Sequence, residues 1–248
     1  MAVLGTAMAD CAMSQVTLRI DLGRRAYSEV WELQRRLVRW RQAHKVPDVL
    51  LFVEHPPTYT LGRSGRLEHL VIDEQALDQT GAVFVRSDRG GGITFHGPGQ
   101  VVGYPIVGLQ GPDRDVHLYL RRLEEVLIRT LVRFGIEAGR QEGLTGVWHR
   151  DGKVAAIGVR VARWVTSHGF ALNVSTDLRY FNRIVPCGIV GKGVVSMESI
   201  LGAPVSMRAV TEALAWEFGG VFNRQLLAVS EMTLNQEENG EVGKAPAS

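Results

Sequence analysis

Cys187 stands between Pro186 and Gly188, ahead of a second glycine-bearing stretch that ends at Gly193. Proline restrains one peptide and glycine frees the next, a context that lets a loop present a side chain. A cysteine nucleophile needs a base or cation beside it, because a thiol of pKa about 8.5 is only a few per cent ionised at neutral pH. Lys153, Lys192, His96 and His168 are the candidates. An ammonium about 4 Å from the sulfur favours thiolate by roughly 4 kcal/mol at an effective dielectric of 20. A neutral, desolvated lysine could take the proton itself. Sequence separation does not choose among the four.

The densest run is Arg89-Gly90-Gly91-Gly92-Ile93-Thr94-Phe95-His96, continued by Gly97-Pro98-Gly99-Gln100. So much glycine costs conformational entropy, which implies that a ligand or another backbone comes close. The run is not a phosphate loop, since no G-x-x-x-x-G-K-[ST] occurs in the chain. Ser167 and His168 are adjacent and no G-x-S-x-G elbow exists, so His168 reads as a structural or pocket-lining group. His55-Pro56-Pro57 reads as a turn closing an apolar strand. The seven histidines show no H-E-x-x-H or other metal spacing, so no metal is expected.

Three helical periods must hold these residues: Tyr27–His44, Asp115–Phe134, and Ser206 as an N-cap through Phe218 to a stop at Gly219-Gly220. Strands are expected at Val16–Leu22, Val49–Glu54, Ala82–Arg86, Gln100–Val107 and Val154–Val161. Asp151-Gly152 reads as a two-residue hairpin turn, which fixes Lys153 just beyond it. Strands and helices neither alternate nor segregate, so the fold class is α+β, a mixed sheet flanked by helices. A single domain is expected over residues 16–230, with residues 1–15 a loose extension and 235–248 a disordered tail.

The chain has 248 residues, 45% of them hydrophobic, and a formal net charge of +2. That charge is too small to imply nucleic-acid binding, and no apolar run is long enough for a membrane helix. Two cysteines, Cys11 and Cys187, cannot form a disulfide framework and fit a reducing, cytosolic setting. The arginines of the first helix and Arg121-Arg122 read as a solvated face or as a contact for an acidic carrier.

Taken together, the motifs resemble the lipoyl(octanoyl) transferase family. The resemblance rests on His55-Pro-Pro-x-Tyr-x-Leu-Gly-Arg63, Arg89-Gly-Gly-x-x-Thr-x-His-Gly-Pro-Gly-Gln100 and Gly103-Tyr104-Pro105. It continues through Gly152-Lys153-Val-Ala-Ala-Ile-Gly158-Val-Arg160, His168-Gly-x-Ala-Leu-Asn173 and Ile184-x-Pro-Cys-Gly188. These occur in the family's order over residues 16–230. The resemblance implies a biotin/lipoate ligase-like fold and an acyltransferase with Cys187 as thioester nucleophile and Lys153 as its proton partner. It implies an acyl pocket of Arg89 to His96, Ala156-Ile157-Gly158 and Gly169-Phe170-Ala171. Octanoyl-acyl carrier protein is the implied donor. Lipoyl domains of 2-oxoacid dehydrogenase E2 subunits and the glycine cleavage H protein are the implied acceptors, with no cofactor. Rival readings are an ATP-dependent lipoate or biotin ligase, which would not need Cys187, and a non-catalytic lipoyl-domain-binding module.

Overall fold

A computed structural model describes residues 16–71, 77, 79–185 and 192–233. The expected extension and tail lie outside these residues. Twelve described strands form two sheets. The larger contains β1 (Val16–Arg24), β2 (Asp48–Glu54), β6 (Gln100–Ile106), β7 (Gly139–Gln141), β8 (Leu144–His149), β9 (Gly152–Ala162), β10 (Val165–Asn173), β11 (Gly193–Val194) and β12 (Gln225–Ala228). Its order is β12-β1-β2-β6-β10-β9-β8-β7, with β11 alongside β9. The smaller sheet is β4-β3-β5, built from β3 (Thr58–Leu61), β4 (Val83–Arg86) and β5 (Ile93–His96). Pairing is mixed: β12-β1-β2, β3-β4 and β9-β11 run parallel, and the other pairs run antiparallel.

Helices cover both faces of the large sheet. Helix α1 (Tyr27–Gln42) buries Val30, Leu33 and Leu37 against Ile20, Leu51, Val102 and Tyr104. The opposite face receives α2 (Val116–Arg133) and α4 (Met207–Phe222), which bring Leu123, Leu127, Leu131, Leu214 and Phe218 onto Leu50, Phe52, Phe170 and Leu172. The spacing of these apolar residues is the 3.6-residue period seen in the sequence. Asp115 caps α2 by accepting from the amides of His117 (2.7 Å) and Leu118 (3.1 Å), and Ser206 caps α4 through Ala209 (3.3 Å). A short helix, α3 (Met197–Leu201), begins at a Ser196–Ser199 capping box.

Most element ends lie within two residues of the sequence reading, and two differences change a cap or a turn. Gly219-Gly220 does not stop α4; the helix continues to Phe222 and ends at Asn223, whose φ of 51° supplies the left-handed cap. Phe222 explains the extension, because its ring stacks on Phe218 (4.4 Å between centroids) and meets Tyr119 of α2. That burial outweighs roughly 1 kcal/mol per glycine of lost helix propensity. The β8–β9 turn is also displaced by one residue. His149 pairs with Gly152, so the loop is Arg150-Asp151, with Arg150 at φ 51°.

Candidate active site

The glycine-rich run forms the loop into β5. It lies against β9, where the Gly90 amide donates to the Val159 carbonyl (2.9 Å). A Cβ on Gly158 would come 2.8 Å from the Gly90 carbonyl, and one on Gly90 3.0 Å from that of Val159. Gly90 and Gly158 are therefore required by a neighbouring backbone, and Gly91 by its φ of 83°. Arg89 is buried and clamps the loop, its guanidinium donating to the carbonyls of Thr60 (2.6 Å), Gly92 (2.9 Å) and Gly90 (2.9 Å) and to Thr60 Oγ1 (2.9 Å).

Between this loop and strands β6, β10 and β9 lies a cavity of about 490 Å³, within the size range of small-ligand sites. Its lining includes Arg89, Gly90, Gly91, Gly92, Ile93, Thr94, His96, Ala156, Ile157, Gly158, Gly169, Phe170, Ala171 and Lys153. Residues from three distant segments thus meet at one space. The cross-strand pairs Ala156–Ala171 and Gly158–Gly169 keep the strand surface there low.

Phe95 is the exception. Ile93 and Phe95 share the face of β5 that packs into the small sheet's core, and of the two only Ile93 reaches the cavity. The Phe95 ring stacks on Tyr180 (4.4 Å, interplanar 9°) and packs with Tyr59 and Phe181 in the small sheet's own core. Its place is explained by packing.

Lys153 lies one residue past the β9 start. Val147 pairs with Ala155 and Trp148 with Lys153, so β9 carries one extra residue, Val154, at a bulge. A bulge re-aims the neighbouring side chain. The Lys153 ammonium donates to the Thr145 carbonyl (3.2 Å) and lies 4.7 Å from the centre of the Trp148 ring. Lys192 sits 5.8 Å from the same ring and pairs with Asp151 (2.8 Å).

Cys187 lies outside the described residues. The chain on either side of it is anchored. The Val185 amide donates to the His69 carbonyl (2.8 Å), Val194 pairs with Lys153, and the Val195 amide donates to the Lys153 carbonyl (3.1 Å). Asn173 Nδ2 adds a bond to the Val195 carbonyl (3.1 Å).

On the other side lies a buried polar cluster of His55, His96 and His168, in which His96 and His168 line the cavity and His55 stands behind them. The sequence reading assigns His55 to a turn, His96 to the acyl pocket and His168 to a structural or pocket-lining place. His55 is fully buried, with Nδ1 2.7 Å from the Arg25 carbonyl and Nε2 2.9 Å from Tyr104 Oη. His96 bonds Gln100 Oε1 (2.9 Å) and contacts Thr60 Oγ1 (3.3 Å), and its ring stacks on Tyr27. His168 also lines the cavity. Its φ is 56° within β10, its amide donates to Gln34 Oε1 (2.7 Å), and its Nε2 lies 2.7 Å from Asp88 Oδ1. The positive φ signals a backbone held in place by these two bonds.

Burial lowers the pKa of His55 to about 4 and that of His96 well below 6.5. Asp88 is held at about 2 by its hydrogen bond with His168. The folded state thus keeps His55 neutral at pH 5, where the unfolded chain takes up a proton. Stability is full above pH about 7 and falls as the pH drops toward 4, His55 alone costing about 2 kcal/mol at pH 5. His96 acts with the same sign. Urea unfolding at pH 7.5 and pH 5 checks this; equal midpoints would contradict it.

Among the described residues no group of three His, Cys, Asp or Glu could hold a metal, and no helix is long and apolar enough to cross a membrane.

Known proteins resemble this chain in sequence and in fold. Residues 26–219 match the lipoyl protein ligase A/B catalytic domain. An octanoyltransferase of Flavobacterium johnsoniae is 52% identical over 198 residues, 73% of this chain and 85% of its own. One from Solibacter usitatus is 48% identical over 220 residues, 89% of this chain and 96% of its own. In three dimensions the chain is similar to a lipoate-protein ligase A bound with ATP (TM-score 0.70, 16% identity, 90% of this chain and 94% of that one). A bipartite archaeal lipoate ligase from Thermoplasma acidophilum gives TM-score 0.70 at 18% identity, over 90% and 91% of the two chains. The structural likeness establishes a mixed-sheet ligase-like fold, and the sequence likeness goes further: the chain belongs to the lipoyl protein ligase A/B catalytic family and, within it, to the octanoyltransferases.

Proposed function

We propose that this enzyme takes an octanoyl group from the thioester of acyl carrier protein, holds it on Cys187, and delivers it to a lysine of a lipoyl domain. The acceptors are the E2 subunits of 2-oxoacid dehydrogenases and the glycine cleavage H protein, in the cytoplasm. The observation that carries the reading is the meeting of Lys153 with an acyl-sized cavity on β9, the strand to which the chain beyond Cys187 is bonded. The octanoyltransferase relatives support the chain length.

In the first half-reaction Lys153 takes the Cys187 proton and the thiolate attacks the octanoyl carbonyl carbon. The tetrahedral intermediate collapses, the bond to the carrier's sulfur breaks, and that sulfur leaves as a thiol with the proton returned by Lys153. In the second, the neutral amine of the acceptor lysine attacks the acyl-enzyme. The Cys187–acyl bond breaks, an amide forms, and the amine's proton passes through Lys153 to the departing thiolate. Thioester exchange is nearly isoenergetic and amide formation from a thioester is downhill, so no ATP is consumed. The apolar lining from Val102, Ala156 and Ala171 takes the chain, at about 0.8 kcal/mol per buried methylene.

The test is intact-mass measurement and peptide mapping after incubation with octanoyl-acyl carrier protein without ATP. An octanoyl adduct on Cys187, discharged by apo lipoyl domain and absent in Cys187→Ala, is expected. An adduct or product that appears only with free octanoate and ATP would point to the ligase reading. Unchanged transfer by Cys187→Ala would remove the covalent route.

A further inference from the structure

Glu124 is a carboxylate on α2 that the proposed reaction does not use. Its side chain is 1% exposed, unusual for a charge unless it is paired. Oε2 accepts from Arg121 (2.7 Å) and from Arg140 of β7 (3.0 Å). Oε1 accepts from the backbone amide of Gly146 (3.2 Å). Gly146 has φ 124°, and a Cβ there would come 2.7 Å from the Ala155 carbonyl and 3.4 Å from Lys153 Cε. The peptide whose N–H Glu124 receives is the one whose carbonyl, that of Thr145, accepts from the Lys153 ammonium (3.2 Å). One rigid peptide plane therefore has the buried carboxylate on one side and the lysine on the other.

We propose that Glu124 is a positioning residue: it pins the Thr145–Gly146 peptide and thereby the place of the Lys153 ammonium at the cavity. The inference rests on the role given above to Lys153. Two features point to placement rather than bulk stability. The carboxylate is anchored by two arginines before it reaches the peptide, so the peptide is held from a fixed point. The β9 bulge at Val154 aims Lys153 toward that peptide, away from regular ladder geometry. Neighbouring Glu125 also accepts from Arg140 (2.8 Å) and from Arg129 (2.9 Å), but its hydrogen bonds do not reach β8. It supplies a matched control.

Among the described residues, the groups that face Lys153 include the Thr145 carbonyl and Trp148 ring from β8, Lys192 with Asp151 beside β11, and Glu124 with Arg121 and Arg140 behind the peptide. Glu124→Gln keeps the shape but has a single carbonyl oxygen, which cannot serve both the arginines and the Gly146 amide.

The experiment measures octanoyl-enzyme formation on Cys187 against pH, per folded molecule, in the wild type, Glu124→Gln and Glu125→Gln. In Glu124→Gln the rate at pH 7 is expected to fall about tenfold, because a misplaced proton acceptor loses the reactive geometry. The alkaline inflection of the rate is expected to leave its wild-type position, because the ammonium loses its fixed acceptor. Glu125→Gln should match the wild type in both. A Glu124→Gln enzyme with a lowered melting temperature but an unmoved rate and inflection would overturn the proposal. Hydrogen exchange on the wild type is independent of whether the variant folds: the Gly146 amide should be protected, and unprotected exchange there would also overturn it. A wild type that forms no Cys187 adduct at any pH would instead sink the parent reading.

Discussion

Lys153→Met is expected to lower octanoyl-enzyme formation by about a hundredfold to ten-thousandfold, the range that a positioned acid–base group contributes. Methionine keeps an unbranched stem of similar length, so the packing over Trp148 survives while the proton carrier is lost. Without Lys153 the thiol must ionise at its ordinary pKa of about 8.5. The residual rate should therefore climb tenfold per pH unit between 6 and 8. Release of carrier thiol, followed in a quenched single-turnover experiment, measures both quantities. A rate within a few-fold of the wild type would leave Lys153 only its structural contacts.

The sequence was informative where chemistry requires a residue type at a fixed spacing. Arg89 to His96, Ala156 to Gly158 and Gly169 to Ala171 are far apart in the chain, yet all but Phe95 line one cavity. Phe95 was indistinguishable from its neighbours because a motif lists consecutive residues, whereas its ring is drawn off the cavity by Tyr180, 85 positions away, on which it stacks. The glycine run leaves room for a ligand or a backbone, and it does both: Gly90 lies against the β9 backbone, and Gly90, Gly91 and Gly92 line the cavity. Tertiary packing also overrode local signals. Phe222 drew α4 through two glycines, and bonds to Gln34 and Asp88 hold His168 at a positive φ inside a strand. His55 carried a signal in its family motif but none for its burial, since the Tyr104 hydroxyl that satisfies it is 49 positions away. Glu124 was invisible for the same reason. In sequence it is one acidic residue on a charged helix, and only the fold brings the Gly146 amide to its oxygen.

Chain-length selection gives the second large effect. Ala156 and Ala171 face each other across β9 and β10, and both line the cavity. Ala156→Phe adds a ring to that wall and takes space otherwise filled by the distal end of the acyl chain. If the ring excludes three methylenes, the lost burial is about 2.4 kcal/mol, or about sixtyfold in kcat/KM for octanoyl. A butyryl chain ends short of the ring and should lose little, so the octanoyl preference is expected to narrow or reverse. Competition between butyryl-, hexanoyl- and octanoyl-carrier protein for limiting lipoyl domain reads this directly. The comparison is internal to each enzyme, so a general loss of stability lowers all three rates together and leaves the ratio unchanged. A ratio equal to that of the wild type would mean that the chain runs elsewhere and that this cavity does not measure it. A ratio shifted toward the shorter chains, with Lys153 and the Cys187 adduct intact, would place the methyl end of the chain against the β9–β10 alanines.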